Sequence, residues 1–493
     1  MASRRDVLPV LAVAGGVFAL HAALSGRYGF HRDELYYLAA GRHPALGYVD
    51  QPPLVPLLAR AIGAVAGDHL WPLRLVAGLA HAAIVVLAGL IARELGGGRR
   101  ALVLAAVATA TAPLFVASGG MFQTVVLDQL WWALALLLVV RLLRGADPRG
   151  WLAVGAVVGV GLQTKWSMAL LAVGLVVGLA AVPSGRHLLR SPWLWSGVAV
   201  ALALWAPNLV WQALNDWPTL EFTRNNNAAV RAEEGRIGFV VQQLLLAGPV
   251  AVPLAGAGAV WLWRRPPWRA LAVALAAVAV GLLAVGGKAY YLGPMYVLAF
   301  AAGGVAAEGW LAAAAPAGRW TAAWRALVVG GLVALPAVAP VAPADVYADV
   351  FHDLNDELGE QLGWPEMVDQ VARVVTVLPA DERTHLRVVT ASYGEAAAVD
   401  LYGPARGLAR ATALSAHNSY VDWWPDGEPA GAVVFVRYPR ERIEPFCDDV
   451  LGPVVVVSNQ AGVANEVAGR PILVCHRLRV PPAQLRDGLR HFE

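Results

Sequence analysis

Residues 270–286 read ALAVALAAVAVGLLAVG, a run without a charged or hydrogen-bonding side chain. A helix needs about 20 apolar residues to cross a bilayer, and inside lipid only a helix or a closed barrel satisfies the backbone. This run and others like it are continuous rather than alternating, which predicts helices. The sequence therefore predicts a polytopic α-helical membrane protein with about 11 spans. They are 6–24, 71–92, 101–118, 127–143, 151–164, 166–182, 193–213, 237–262, 270–286, 291–307 and 321–341.

The composition of the whole chain supports this class. Of 493 residues, 58% are hydrophobic and 15% are charged, whereas a soluble domain carries about 25% charged residues. The mean hydropathy is +0.55. These values exclude a chain that is soluble throughout or disordered. The net charge of +3 gives no sign of a nucleic-acid partner, and the two cysteines exclude a zinc-ribbon or iron–sulfur architecture.

The apolar runs stop near residue 343, which predicts two domains, 1–343 and 344–493. Asp, Glu and Arg become common in the second part, and its apolar runs shorten to the length of strands. A helical pattern covers 354–378, and strand patterns cover 386–391, 432–438, 454–458 and 472–477. This alternation predicts a small α/β domain.

The arginines predict the orientation of the spans. Most arginines near span ends fall on one set of ends, from Arg4 and Arg5 to Arg319 and Arg325. Positive charge marks the cytoplasmic side, so we expect a cytoplasmic N-terminus and an extracytoplasmic tail in the cytoplasmic membrane. Two separate spans within 151–182 preserve this alternation. Outside the cytoplasm, Cys447 and Cys475 can form a disulfide, although two free buried thiols fit the sequence equally well.

The first outer loop, about 25–70, carries an adjacent pair of acids, Asp33 and Glu34. A carboxylate at the membrane surface can take a proton from an incoming hydroxyl group. Neighbouring side chains on a helix point about 100° apart, so only one of the two can face a given atom. The alternative is a pair of solvated loop acids or of helix-start charges.

A second acid, Asp128, lies at the start of an apolar span. An acid inside the membrane is costly and is a functional candidate; the alternative is a charge that complements the helix dipole. The chain has only two lysines, Lys165 and Lys288, both at predicted outer span ends. Two ammonium groups that converge there can bind a phosphate; the alternative is two ordinary interfacial lysines.

Six segments, in this order, resemble bacterial membrane glycosyltransferases of the GT-C fold, in the superfamily of protein O-mannosyltransferases and lipid A aminoarabinose transferases. They are His31–Leu38, Gly47–Leu54, Leu127–Gln129, Thr164–Trp166, Trp217–Phe222 and Lys288–Pro294. In the tail, Ser392–Ala396 and Ser415–Tyr420 also look like bacterial members. The resemblance covers most of the chain. One departure is Trp423-Trp424-Pro425, where the family usually has Trp-Gly-Pro, and it leaves the acceptor open.

The resemblance implies an inverting transfer of a sugar from a polyprenyl-phosphate donor to an acceptor hydroxyl group on the outer face of the membrane. It implies that Asp33 is the catalytic carboxylate, with Glu34 beside it, and that Asp128 is the second acid. The donor phosphate would be bound by Lys165, Lys288 and Arg224. The predicted substrate contacts are Tyr36, Tyr37, Asp50, Gln51, Glu221, Tyr290 and Tyr291.

The implied partners are a polyprenyl-phosphate-linked sugar, the lipid bilayer, and a protein, glycan or glycolipid acceptor. No strong set of His and acid ligands is visible, so we predict no metal. The alternative is a divalent cation, because some relatives bind one. The alternative function is a multi-pass transporter or lipid flippase. Transporters usually show an internal repeat with broken helices, and no repeat is visible in this sequence.

Overall fold

The computed structural model of the protein describes residues 4–233, 235–314, 318–383, 386–409, 411–425 and 431–492. Helices follow one another from Leu8 to Val338. The α-helices of this part are α1 Leu8–Leu24, α2 Arg32–Arg42, α3 Leu54–Ala66, α4 Leu70–Glu94, α5 Arg99–Thr111, α6 Pro113–Gly119, α7 Thr124–Leu143, α8 Gly150–Leu162, α9 Met168–Ala181, α10 Pro183–Arg186, α11 Pro192–Leu214, α12 Pro218–Glu233, α13 Gly235–Ala247, α14 Val252–Arg264, α15 Arg269–Val285, α16 Tyr296–Ala314 and α17 Gly318–Val338. Short 3-10 helices cover Arg4–Val7, Leu188–Arg190 and Ala289–Met295.

Several of these helices are suited to cross a membrane. Within the described residues, five are long and apolar enough by themselves, and two bent pairs raise the number to seven. The five are α4, α7, α11, Ala289–Trp310 and Trp320–Val338; the pairs are α5 with α6 and α13 with α14. The remaining predicted spans coincide with the shorter apolar helices α1, α8, α9 and α15. The protein is thus a multi-pass helical membrane protein, and the count of about 11 spans stays a prediction.

Two predicted spans, 101–118 and 237–262, are wrong as continuous helices. The first bends by 62° between α5 and α6, and the second by 104° between α13 and α14. Ala112 precedes Pro113 and has an extended backbone, because a proline disfavours helical geometry in the residue before it. In the second span, Gly248 has a φ of +84° and ends the helix.

Small residues let the helices of the membrane part pack closely. Gly155 on α8 faces Gly197 on α11, and a Cβ atom built on Gly155 would lie 2.0 Å from the carbonyl oxygen of Gly197. Helices in membranes associate through such close backbone contacts, since lipid provides no hydrophobic driving force between them.

The described part of the tail combines five α-helices with one sheet. The helices are α18 Ala344–Val350, α19 Trp364–Thr376, α20 Tyr393–Tyr402, α21 Arg440–Ile443 and α22 Pro482–Leu489, and 3-10 helices cover His352–Leu354, Asp356–Gln361, Pro404–Arg406, Asn418–Trp423 and Glu444–Phe446. The strands are β1 Arg387–Thr390, β2 Thr412–Ser415, β3 Val433–Val436, β4 Val450–Val456 and β5 Pro471–Cys475. They form a sheet in the order β2-β1-β3-β5-β4. The β1–β2 and β1–β3 pairs are parallel, whereas β5 is antiparallel to β3 and β4.

The tail also corrects the sequence prediction in two places. The helix predicted at 354–378 begins only at Trp364, because Asp356–Gln361 forms a 3-10 helix and Gly363 has a φ of +86°. The strand β2 was not predicted, since four residues with one polar end give too short a pattern. Cys447 and Cys475 form a disulfide that joins the segment before β4 to the end of β5.

The packing of α8 on α11 gives a testable prediction. We expect Gly155→Ala to lower the thermal stability of the protein in detergent, because the added methyl group meets backbone atoms that cannot move aside. The control is Gly16→Ala on α1, where a Cβ atom has no neighbour within 4 Å. Unfolding followed by fluorescence-detected size exclusion measures both variants, and equal melting temperatures for the two would contradict the prediction.

Candidate active site

The acids of the first loop lie at the start of α2, and the motif His31-Arg32-Asp33-Glu34 builds that helix end. The His31 ring accepts a hydrogen bond from the Asp33 N–H through Nδ1 at 3.2 Å. In return, the Glu34 carboxylate accepts one from the His31 N–H at 2.8 Å. This reciprocal cap satisfies two backbone donors that the first turn of a helix leaves open. It therefore fixes the direction in which Asp33 and Glu34 leave the helix.

Glu34 points inward and is fully engaged. Its carboxylate accepts hydrogen bonds from Arg74 Nε at 3.0 Å and from Arg74 Nη2 at 2.8 Å. It also accepts one from the Phe122 N–H at 2.9 Å. Both charged side chains are 1% exposed, so the pair is a buried bidentate salt bridge. Through it α2 is tied to α4 and to the turn before α7, which makes Glu34 a positioning residue in this geometry.

Asp33 points the other way and keeps an accessible face. Its side chain is 26% exposed, and its Oδ1 accepts a hydrogen bond from the Tyr393 hydroxyl at 2.8 Å. Arg32 Nε lies 3.9 Å from the same oxygen. Of the two adjacent acids, Asp33 is thus the one that a substrate can reach.

The tail supplies a third acid to this helix start. Because His31 Nδ1 accepts a hydrogen bond, the ring proton lies on Nε2 and is donated to Glu357 at 3.1 Å. Arg32 Nη2 lies 3.6 Å from the same carboxylate. Burial raises the pKa of Glu357, but His31 and Arg32 outweigh it and hold the pKa at about 2. Glu357 is therefore a carboxylate at neutral pH and fixes the His31 ring.

Tyr36 and Asp50 form a second contact between the first loop and the tail. The Tyr36 hydroxyl donates to Asp50 Oδ1 at 2.8 Å and accepts from the Ser419 N–H at 3.4 Å. The Tyr36 ring stacks on Tyr393 with centroids 4.5 Å apart. Burial raises the pKa of Asp50 to about 7, and the hydrogen bond from Tyr36 opposes the shift. The pKa of Asp50 is thus close to neutral pH, where its carboxyl group can gain or lose a proton.

Gln51 and Tyr37, which follow Asp50 and Tyr36 in the sequence, are also buried. Gln51 is 3% exposed, and neither its amide nitrogen nor its amide oxygen has a hydrogen-bond partner among the described residues. A buried amide without partners costs free energy, so this side chain is suited to bind a polar group from a substrate. Tyr37 lies edge-on to Phe122, with ring centroids 6.2 Å apart.

Lys165 lies in the break between α8 and α9 and faces two tyrosines. Its ammonium nitrogen is 4.9 Å from the Tyr290 ring centroid and 4.6 Å from that of Tyr291. It also donates a hydrogen bond to the Tyr290 hydroxyl at 3.4 Å. These cation–π contacts hold a positive charge next to aromatic surface, and three of the predicted site residues thereby meet.

The other charges of the site act on this same lysine. The Lys165 ammonium group interacts electrostatically with Asp128, Lys288 and Asp33. Asp128 accepts hydrogen bonds from Trp132 Nε1 at 3.0 Å and from Ser167 Oγ at 2.7 Å. Asp33, Asp128 and Lys288 are thus all close enough to Lys165 for their charges to act on it.

Two predicted residues lie elsewhere. Glu221 on α12 forms an ion pair with Arg490 of the tail at 2.9 Å. Arg224, on the same helix, is exposed. Their roles in substrate binding stay predictions.

Sequence reasoning missed the residues that hold Asp33 and Glu34 in place, namely Arg74, Glu357 and Tyr393. The segment that begins at Ser392 was noted as similar to bacterial relatives, but that similarity assigned no role to Tyr393. Arg74 lies within the predicted span 71–92. A charged residue inside a span is a functional candidate, and this was the signal in the sequence that could have found it.

Within the described residues, no group of three or more His, Cys, Asp or Glu side chains is arranged to hold a metal ion. The expectation that the protein works without a metal stays a prediction.

The chain is similar to several known proteins. A family model described as dolichyl-phosphate-mannose-protein mannosyltransferase matches residues 50–211, which is less than half of the chain. The lipid A galacturonosyltransferase RgtD of Rhizobium johnstonii is 27% identical over 231 residues, which cover 45% of this chain and 47% of RgtD. The match thus spans about half the length of this curated relative.

The fold is similar to that of ArnT from Cupriavidus metallidurans. The apo structure of ArnT matches with a TM-score of 0.58 at 14% identity, over 98% of both chains. The structure of ArnT bound to undecaprenyl phosphate matches with a TM-score of 0.57 at 14% identity, over 100% of both chains. The resemblance to GT-C fold glycosyltransferases that the sequence predicts is therefore confirmed.

The opposite environments of the two adjacent acids give a prediction. We expect Glu34→Gln to destabilise the protein by about 3–5 kcal/mol, because it leaves the buried Arg74 guanidinium without a counter-charge. Asp33→Asn, next to it, serves as the matched control and should change the thermal unfolding temperature little, since Asp33 is partly solvated. A larger loss of stability for Asp33→Asn than for Glu34→Gln would contradict the assignment of Glu34 as the structural acid.

Proposed function

We propose that the protein is an inverting glycosyltransferase that moves a sugar from a polyprenyl-phosphate donor to an acceptor hydroxyl group. The observation that carries the proposal is an accessible carboxylate, Asp33, together with an ammonium group, Lys165, that Tyr290 and Tyr291 hold in place. A base for the acceptor and cations for the leaving phosphate are the two parts that such a transfer needs.

Asp33 acts as the general base in this proposal. Its accessible carboxylate takes the proton from the acceptor hydroxyl group, whose oxygen attacks the anomeric carbon of the sugar. A new carbon–oxygen bond forms as the bond from that carbon to the phosphate breaks on the opposite face, so the anomeric configuration inverts. Tyr393 holds one carboxylate oxygen, and the other is left for the acceptor.

Lys165 and Lys288 act on the leaving group. The phosphate becomes more negative as its bond to the sugar breaks, and fixed positive charges stabilise it more in the transition state than in the ground state. Tyr290 and Tyr291 hold the Lys165 ammonium group in place. Asp128 adds a negative charge that attracts this ammonium group, and Trp132 and Ser167 orient its carboxylate.

The membrane setting suits a donor of this kind. A polyprenyl chain would lie in the bilayer among the apolar helices, and its phosphate would reach the loop ends where the lysines lie. The solved ArnT is bound to undecaprenyl phosphate, which supports a polyprenyl-phosphate donor. RgtD is named a lipid A galacturonosyltransferase, which supports a glycolipid among the acceptors. The arginine distribution supports a reaction on the outer face of the cytoplasmic membrane, with the N-terminus cytoplasmic and the tail extracytoplasmic.

A panel of polyprenyl-phosphate sugars tests the reaction. The purified protein in liposomes is incubated with each donor and with candidate protein, glycan and glycolipid acceptors, and mass spectrometry identifies the products. Movement of a lipid across the bilayer without any sugar transfer would favour the flippase alternative.

The first prediction from this mechanism concerns Asp33. We expect Asp33→Asn to reduce the turnover number by about 10²–10⁴, because the acceptor loses its base. The control is Asp68→Asn, an exposed acid of the same loop that is paired with Arg42, which should retain full activity. Near-normal transfer by folded Asp33→Asn protein would rule out Asp33 as the base.

The second prediction concerns the donor phosphate. We expect the double variant Lys165→Ala, Lys288→Ala to bind the donor at least about tenfold more weakly, since hydrogen bonds to charged groups are worth about 1.5–3 kcal/mol. Donor titration against the wild type measures the affinity. The control is Arg264→Ala at an exposed helix end, and unchanged donor affinity in the double lysine variant would rule out the phosphate site.

A further inference from the structure

The tail carries a pocket that the mechanism does not use. It has a volume of about 430 Å³ and is lined by Ala391, Arg437, Tyr438, Arg442, Arg470 and His491, among others. No acidic residue lines it in the described part of the chain. The pocket is therefore a concave surface with three guanidinium groups at its wall.

The topology of the sheet puts this pocket where α/β sheets bind ligands. From β1 the chain passes through α20 to β2 on one side, whereas β3 lies on the other side of β1. The order of parallel strands reverses at β1, and ligands bind outside the carboxyl ends of strands at such a switch point. Ala391 directly follows β1, and Arg437 and Tyr438 directly follow β3, so the pocket lies in that crevice.

The other walls come from segments that end at the same edge. Arg470 immediately precedes β5, which runs antiparallel to β3. The C-terminal segment closes the pocket, since the His491 N–H donates to the carbonyl oxygen of Ala416, just after β2. Four chain segments thus converge on one spot.

The charges predict an anionic ligand. Arg437 is partly neutralised, because it pairs with Glu395 at 2.7 Å and with Glu466 at 3.4 Å. Arg442 donates to the carbonyl oxygen of Gly488 at 2.9 Å, and no acid among the described residues forms an ion pair with it. Arg470 is exposed, and no side chain among the described residues pairs with its guanidinium group. Two arginine forks remain for a ligand, and this geometry fits a phosphoryl group.

A short chain of ring contacts connects the pocket to the catalytic acid. The His491 ring stacks on His417, with centroids 4.4 Å apart. His417 lies 4.7 Å from the Tyr393 ring, and the Tyr393 hydroxyl donates to Asp33. A ligand in the pocket is therefore three contacts away from the base of the reaction.

We propose that this pocket binds the phosphoryl group of a phosphorylated sugar acceptor and so positions the acceptor on the tail side of Asp33. The pocket volume is within the range of small-molecule sites, about 300–1,000 Å³, and suits a single phosphorylated sugar unit. The role of this ligand as the acceptor rests on the proposed transfer reaction, but its binding to the pocket does not depend on catalysis.

Binding is measured on the full-length Asp33→Asn protein in nanodiscs, so that no transfer takes place. Isothermal titration uses two probes: a soluble hexose phosphate, and a phosphorylated glycolipid supplied in the nanodisc membrane. We expect Arg442→Gln, Arg470→Gln to weaken binding of the probe at least about tenfold, because two charge-assisted hydrogen bonds are lost. Binding of the glycolipid alone would identify a lipid-linked acceptor, and binding of both would identify the sugar phosphate itself.

The charge-matched control is Arg373→Gln, Arg440→Gln, two exposed arginines of the tail outside the pocket, which should leave the affinity unchanged. Arg470→Glu alone guards against a folding defect, since no side chain among the described residues pairs with Arg470, and it should abolish binding. Unchanged binding in both pocket variants would overturn the proposal.

With an intact Asp33, the Arg470→Glu variant should raise the KM for a phosphorylated acceptor and leave donor affinity unchanged. If the wild-type protein binds the probe but transfers no sugar from any donor of the polyprenyl-phosphate panel, the proposed function is overturned and the pocket assignment stands.

Discussion

The buried salt bridge between Glu34 and Arg74 is the interaction on which the geometry of the site depends. Two charges that are 1% exposed are stable only when each satisfies the other, because the cost of removing ions from water is large. The same carboxylate also caps α2 and accepts from the backbone before α7. One buried anion thereby sets the position of three segments, and the direction of Asp33 follows from it.

The second constraint is that the tail completes the site. Tyr393 reaches Asp33, Glu357 fixes His31, and the Ser419 hydroxyl accepts the Val49 N–H at 2.8 Å. These contacts come from three different tail segments, so the acids of the first loop depend on the docking of the α/β part. A membrane domain with an independent tail would leave Asp33 without its tyrosine partner.

The site also separates its charges by function. Asp33, Glu34 and their partners lie along α2, α4 and the tail, whereas Lys165 lies in the break between α8 and α9 against Tyr290 and Tyr291. In the proposed reaction, the base for the acceptor and the cation for the phosphate thus come from different parts of the chain. The arginine pocket of the tail extends the acceptor side of this arrangement through the stacked rings of His491, His417 and Tyr393.

Hydrophobic run length and residue type are local properties of a chain. They were therefore enough to predict the helical membrane class, the α/β character of the tail and the order of the motifs that contain Asp33, Asp128, Lys165 and Lys288. Pro113 and Gly248 were visible too, but their effect on an apolar run depends on how the broken ends pack. Only the tertiary structure decided that Glu34 is buried against Arg74 while Asp33 remains accessible, since adjacent residues of one helix differ only in which neighbours surround them. It also decided that Tyr393 and Glu357 join the first loop and that three arginines meet, one after β3, one on α21 and one before β5. These contacts link residues far apart in the chain, and no local pattern records which distant segments will meet.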